Sequence, residues 1–186
     1  MFAGKKSAQI REILISESAW EEMTCLFAPS IANIPDDMLN CVLECVEIIE
    51  KAIEKGGLVV DEAQEIVEEY RSNLNMSGAP GIGDKFMKWI YTNQWKFPAK
   101  NMVKITKTGT SYEEFPAHEG LTNFDLSDRK FVATSYAHVD KPPIFQATDS
   151  KWWGWKESLA DVGITVHFAD EKLISDIYTR KFPNGR

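Results

Sequence analysis

From Phe124 to Phe168 helical and strand patterns alternate without a break, and that alternation narrows the folds open to this chain. F-D-L-S-D-R-K-F-V-A-T-S predicts a helix over residues 126–138, opened by Asp125 and Asp128. P-P-I-F-Q-A-T-D predicts a strand over 144–148, closed by Asp149. A helix over 152–161 and a strand over 164–168 follow. Strand, helix and strand in that order build a parallel crossover unit. In an open parallel sheet, ligands gather outside the carboxyl ends of the strands. A carboxylate at a strand end and another at the start of the preceding helix can therefore face one spot. Clustered carboxylates suit a hard cation such as Mg²⁺ or Mn²⁺, which prefers oxygen ligands.

The upstream half follows the same grammar. I-R-E-I-L-I predicts a first strand over 10–15, ended by Ser16, and a helix over 18–27 comes next. Pro29 and Pro35 bracket a loop, and Asp36 or Asp37 caps another helix. In that helix Met38, Cys41, Val42, Cys45, Val46, Ile49 and Ile53 recur at helical spacing, with Glu44, Glu47, Glu50 and Glu54 off that face. Gly56-Gly57 stops it. Leu58-Val59-Val60 is a buried strand with Asp61 at its end, and residues 62–74 return to helix with Ile66, Val67 and Tyr70 inward. The glycine-rich loop 78–83 lacks the Lys-Ser/Thr pair of a nucleotide-binding loop. A helix over 84–92 and a third strand over 103–105 follow; residues 106–123 are polar and loop-like, and 171–182 form a last short helix. The expected architecture is a single α/β domain over 1–186 with a mostly parallel sheet covered on both faces.

Composition adds exclusions. The chain has 186 residues, of which 44% are hydrophobic and 26% charged, with no apolar run long enough to span a bilayer. The polar, basic start has no signal-peptide core. Three cysteines at no metal-ligand spacing fit a reducing cytoplasm, with Cys41 and Cys45 as small core residues. His118, His138 and His167 lack zinc spacing and are expected to be structural. Net charge is −7, yet residues 85–107 carry Lys85, Lys88, Lys96, Lys100, Lys104 and Lys107 and no acid. Trp89, Tyr91, Trp95 and Phe97 interleave with them. Such a segment can track phosphates and stack bases; it is equally an amphipathic helix with aromatics in the core.

The carboxylates carry two readings as well. Asp125 as helix cap and Asp128 as third helical residue need nothing but the helix dipole, and Asp149 can cap the helix near Lys151. Glu65, Glu68 and Glu69 can be a solvated face. Against this, Asp61, Asp128 and Asp149 all fall at strand ends or first helical turns, with Glu65 or Glu69 a turn or two further on. Independent caps need not converge, whereas metal ligands must.

This order of elements resembles the PIN domain, a family of metal-dependent nucleases with a three-layer α/β/α Rossmann-like fold. The resemblance rests on L-V-V-D-E-A-Q-E-I-V-E-E-Y, D-L-S-D-R-K-F-V-A and A-T-D-S-K-W, with G-I-T-V-H-F as the closing strand. It also extends to a bacterial PIN-like group of uncharacterised proteins. It implies Glu69, Asp128 and Asp149 as catalytic residues, with Glu65 second to Glu69. It implies Mg²⁺ or Mn²⁺ held by these three together with Asp125 and Glu17. Lys85, Lys88, Lys96 and Lys151 would contact nucleic acid. The implied activity is hydrolysis of RNA, or else DNA, phosphodiester bonds by a cytoplasmic toxin or defence effector. An antitoxin or other protein, or a second copy in a homodimer, would be its partner. Two departures keep a second expectation open. Ser16 stands where the family's first strand ends in Asp, and Lys151 where a further Asp often extends the cluster. The alternative is a PIN-fold module that has lost cleavage and binds nucleic acid or a protein. A metal-dependent phosphatase or a receiver-like domain is disfavoured by the lack of a carboxylate pair ending the first strand.

Overall fold

The computed structural model describes residues 14–15, 38–72 and 82–183. The expected helix over 18–27, the loop at Pro29 and Pro35, the caps Asp36 and Asp37, most of the loop 78–83, and both Ser16 and Glu17 lie outside the described residues. In chain order the elements are β1 (Leu14–Ile15), α1 (Leu39–Lys55), β2 (Val60–Asp61), α2 (Glu65–Ser72), α3 (Ile82–Asn93), β3 (Met102–Val103), β4 (Lys107–Thr108), β5 (Ser111–Tyr112), α4 (Arg129–Ala137), β6 (Ile144–Gln146), α5 (Lys156–Asp161), β7 (Val166–Phe168) and α6 (Glu171–Lys181).

The architecture is mixed α/β with short sheets, some of them parallel. β1, β6 and β7 form one parallel group in that order, with Leu14 opposite Ile144 and Phe145 opposite His167. β2 and β3 form a second parallel pair, Val60 opposite Met102. Helix α4 packs against both β2 and β6 and so touches both parallel groups. The third group is an antiparallel hairpin, β4–β5, inside the segment expected to be loop. Gly109, at φ 62, takes the first position of its two-residue turn. That position in a II′ hairpin turn needs positive φ, which glycine adopts without strain.

Local chemistry explains where the helices begin and end. In α1, Cys41, Val42, Cys45 and Ile49 are buried as their spacing predicts, with Ile48 and Ala52 completing the stripe. Gly56 ends it in the left-handed region, its N–H bonded to the Ala52 carbonyl. Asp61 starts α2: its carboxylate accepts from the N–H of Glu65 at 2.9 Å and of Ile66 at 2.8 Å. Ile66, Val67 and Tyr70 then point inward, also as predicted.

Several starts differ from expectation, α2 opening at Glu65 rather than at residue 62 and α3 at Ile82 rather than at 84. α4 begins at Arg129 rather than at residue 126. Asp125 accepts from both the N–H and the hydroxyl of Ser127, and this local turn competes with helix. The helix expected over 152–161 is split into a 3-10 turn, Ser150–Trp155, and α5. A 3-10 turn eclipses residues three apart, which places Trp152 and Trp155 together in the core. Both pack on Phe124, at 5.0 and 4.5 Å between ring centres. Gly154 lets α6 approach this turn: a Cβ there would meet the Tyr178 hydroxyl at 2.5 Å.

Candidate acidic centre and basic face

The carboxylates singled out in the sequence fall into two adjoining groups. The first is built where β2 runs into α2. Asp61 is fully buried, and Glu65 and Glu69 follow one and two turns into the helix. Glu65 receives the Lys107 ammonium at 2.9 Å and the Tyr112 hydroxyl at 2.8 Å, both from the β4–β5 hairpin. Glu69 forms an ion pair with Lys130 of α4; the Lys130 and Glu69 side chains are only 10% and 14% exposed. Burial pushes the Asp61 carboxyl up, and the Ile66 and Glu65 N–H groups oppose this only in part. Burial would raise Glu65 too, but the hydrogen bonds from Lys107 and Tyr112 prevail and hold it below the usual range. Tyr112, desolvated and facing Glu65, Asp61 and Glu69, is pushed well above an ordinary phenol.

The second group gathers round Lys151. Its ammonium donates to Asp125 at 2.8 Å. That bond, with the charges of Asp149 and Asp128 nearby, holds Lys151 above its usual range. In return Lys151 holds Asp125 low, burial opposing and the Ser127 bonds assisting. Asp149 caps the 3-10 turn by accepting from the Lys151 N–H at 2.9 Å. Asp128, almost fully buried, stands at the cap position of α4 without capping it. Its carboxylate instead accepts the Trp152 indole N–H at 2.9 Å. The groups adjoin through residues 127–130, where the Lys130 ammonium also donates to the Ser127 carbonyl at 2.5 Å.

The Lys151 ammonium bonds Asp125 directly, with the charges of Asp149 and Asp128 acting on it from nearby, and Lys130 pairs with Glu69 in the adjoining group. Among the described residues no group of three or more His, Cys, Asp or Glu is disposed to hold a metal ion. Glu17, the remaining expected ligand, lies outside the described residues.

Sequence reasoning missed Lys130, Lys107, Tyr112 and the indole of Trp152. Lys130 had a signal, two residues after Asp128 in D-R-K-F. The hairpin pair had one in the Gly109-Thr110 turn. Trp152 is buried in the core, as a packing role for it predicts. Its second role as a hydrogen-bond donor depends on a partner distant in sequence.

The lysines expected to meet nucleic acid lie elsewhere. Lys85 and Lys88 project from α3, and Lys96 from the 3-10 turn after it; all three are exposed. Lys151 belongs to the acidic centre. Of the interleaved aromatics, Trp89 turns inward, stacked on Phe86 at 5.8 Å and against Phe97 at 5.4 Å. Tyr91 is 44% and Trp95 84% exposed. A separate cleft of about 920 Å³ lies between α1 and the β7–α6 junction, lined in part by Leu43, Glu47, Trp153 and His167. His167 is held below its usual range by burial.

The chain matches no protein-family model, no curated protein and no solved structure. Among the described residues no helix is long and apolar enough to cross a membrane.

Proposed function

We propose that this chain is a PIN-like nucleic-acid-binding module whose acidic centre is occupied by its own hydrogen-bond donors, two of them lysine ammonium groups. One observation carries the reading: each described carboxylate expected to bind metal already has a protein partner. Glu69 has Lys130, Asp125 has Lys151, Asp128 has the Trp152 indole and Asp149 has the Lys151 N–H. In this reading the two parallel strand groups belong to one three-layer, Rossmann-like sheet, and the protein acts in the cytoplasm on RNA, alone or with a protein partner. The exposed lysines of residues 85–96 supply the attraction for phosphate.

The metal-dependent endoribonuclease, a toxin or defence effector answered by an antitoxin, is the second reading. It is favoured by Asp125 and Asp149 both bonding to Lys151, with the charge of Asp128 close by. It requires Lys151 and Lys130 to swing out of the centre. Cleavage and binding of mixed single-stranded and structured RNA, with Mn²⁺ or Mg²⁺, an EDTA control and an Asp149→Asn variant, separates the two. The expected result is no cutting, and binding that neither EDTA nor Asp149→Asn changes. Metal-dependent cutting that disappears in the variant would replace the binding module with the nuclease.

A further inference from the structure

We infer that Trp95 is a base-stacking platform for single-stranded nucleic acid, set in a basic stripe along α3. The inference rests on the nucleic-acid-binding reading and names the contact that such binding would use. It begins with an anomaly of burial. Tryptophan is among the costliest side chains to leave in water, because its ring exposes a large apolar area. Trp152 and Trp155 are buried and Trp89 is stacked between two rings, yet Trp95 is 84% exposed.

The backbone under Trp95 is firmly held. Trp95 is the middle residue of the 3-10 turn Gln94–Lys96. Before it, the Asn93 side chain donates to the Trp89 carbonyl at 2.8 Å. After it, the Phe97 N–H closes the turn on Gln94 at 3.2 Å, and the Phe97 ring locks against Trp89. One short segment thus turns Phe97 inward and Trp95 outward. The outward direction is fixed by the anchored neighbours, so the ring is presented with little backbone entropy left to lose on binding.

The surroundings select the occupant. Lys88, Tyr91 and Thr92 recur at helical spacing of three and four and so share one side of α3, and Trp95 follows in the 3-10 turn directly after that helix. Lys85 extends that side one turn back, and Lys96 sits beside Trp95. From Lys85 to Lys107 the sequence has six lysines and no acid; the nearby Asp140 is matched to Lys100 at 3.4 Å. A partner for this stripe must be a polyanion, and one that offers a flat ring. A single-stranded nucleic acid offers both: phosphates for the lysines and unstacked bases for the indole. A duplex hides its base faces, and an acidic peptide has none.

The test uses the intact chain. Labelled single-stranded RNA, single-stranded DNA and a duplex of matching sequence are titrated by fluorescence anisotropy at two salt concentrations. The variants are Trp95→Ala, Trp95→Phe and the triple Lys85→Ala, Lys88→Ala, Lys96→Ala. Because Trp95 is exposed, its replacement leaves the fold intact, which circular dichroism verifies. Trp95→Ala is expected to weaken single-strand binding roughly 5- to 150-fold, the range for one base that no longer stacks. Trp95→Phe should keep most of the affinity. The triple variant should flatten the salt dependence by about 0.7 in log–log slope for each phosphate that the lysines no longer neutralise. Binding of either RNA or DNA in this pattern supports the inference, and the tighter of the two identifies the sugar recognised. Equal binding by Trp95→Ala and the intact chain overturns the stacking platform while leaving the binding module standing. Preference for the duplex overturns it as well. Failure of the intact chain to bind any of the three overturns both.

Discussion

Lys130 and Glu69 form an ion pair inside the molecule. Both side chains are nearly buried, and a lone buried carboxylate is costly because it loses water without gaining a partner. Lys130→Ala should therefore destabilise the fold by about 3–5 kcal/mol, read as a lower urea midpoint. Replacing both partners, Glu69→Gln with Lys130→Met, should recover most of that loss, since neither new side chain is charged. A double variant as unstable as Lys130→Ala would mean that the loss does not come from an unpaired Glu69 but from the Lys130 bond to the Ser127 carbonyl. At this scale the sequence singled out the acids and, in Lys151, one lysine able to neutralise a carboxylate or contact phosphate. Asp125, Asp128 and Asp149 declare themselves by their places at helix starts and a strand end. Lys130, whose partner Glu69 lies far off in sequence, is less legible than Lys151, which stands beside Asp149.

Among the elements, α2 depends most visibly on a single residue. Asp61 accepts from two of the N–H groups that the helix itself leaves unpaired. Asp61→Ala should cost about 1–2 kcal/mol and speed hydrogen exchange at the Ile66 and Val67 amides ahead of global unfolding. Exchange unchanged at those amides would show that packing of Ile66 and Tyr70 alone holds the helix. Periodicity made α1 and α2 legible, since each buries one apolar stripe. It failed at α4, where the Asp125–Ser127 turn withholds the first helical turn, and at the tryptophan-rich 3-10 turn, where core packing outweighs helix geometry. The β4–β5 hairpin was hidden by its polar composition. Its strands are two residues each, too short for alternation to register.

For the molecule as a whole, individual acids make stability depend on pH in opposite senses. Asp125 and Glu65 have folded pKa values below their usual ones. The folded state then holds fewer protons than the unfolded one near pH ~4, so stability rises with pH there. Their contribution is present above the unfolded pKa and is lost as pH falls through the folded value. His167, also held low, adds a contribution that is complete above its unfolded pKa and fades as the solution is acidified through its folded one. Asp61 works the other way: its raised pKa favours folding in acid and that benefit is lost as pH rises through it. Lys151→Met removes the main pull on Asp125, so the fall in thermal midpoint below about pH 4 should be shallower than in the intact chain. An identical acid profile would show that the Ser127 bonds alone keep Asp125 low. At this largest scale the sequence conveyed the alternation of strands and helices. It could not convey the pairing of β1 with β6 or β2 with β3, because strand partners are chosen by contacts between distant segments.

A cation supplied by the chain differs from one drawn from solution in a way that reaches beyond affinity. A lysine is delivered at synthesis, one per copy, and no chelator or shortage can withdraw it. With Lys130 and Lys151 in place, the centre's charge balance becomes a property fixed by the gene rather than by the metal economy of the cell. In the binding-module reading, chain and counter-ion are inherited together.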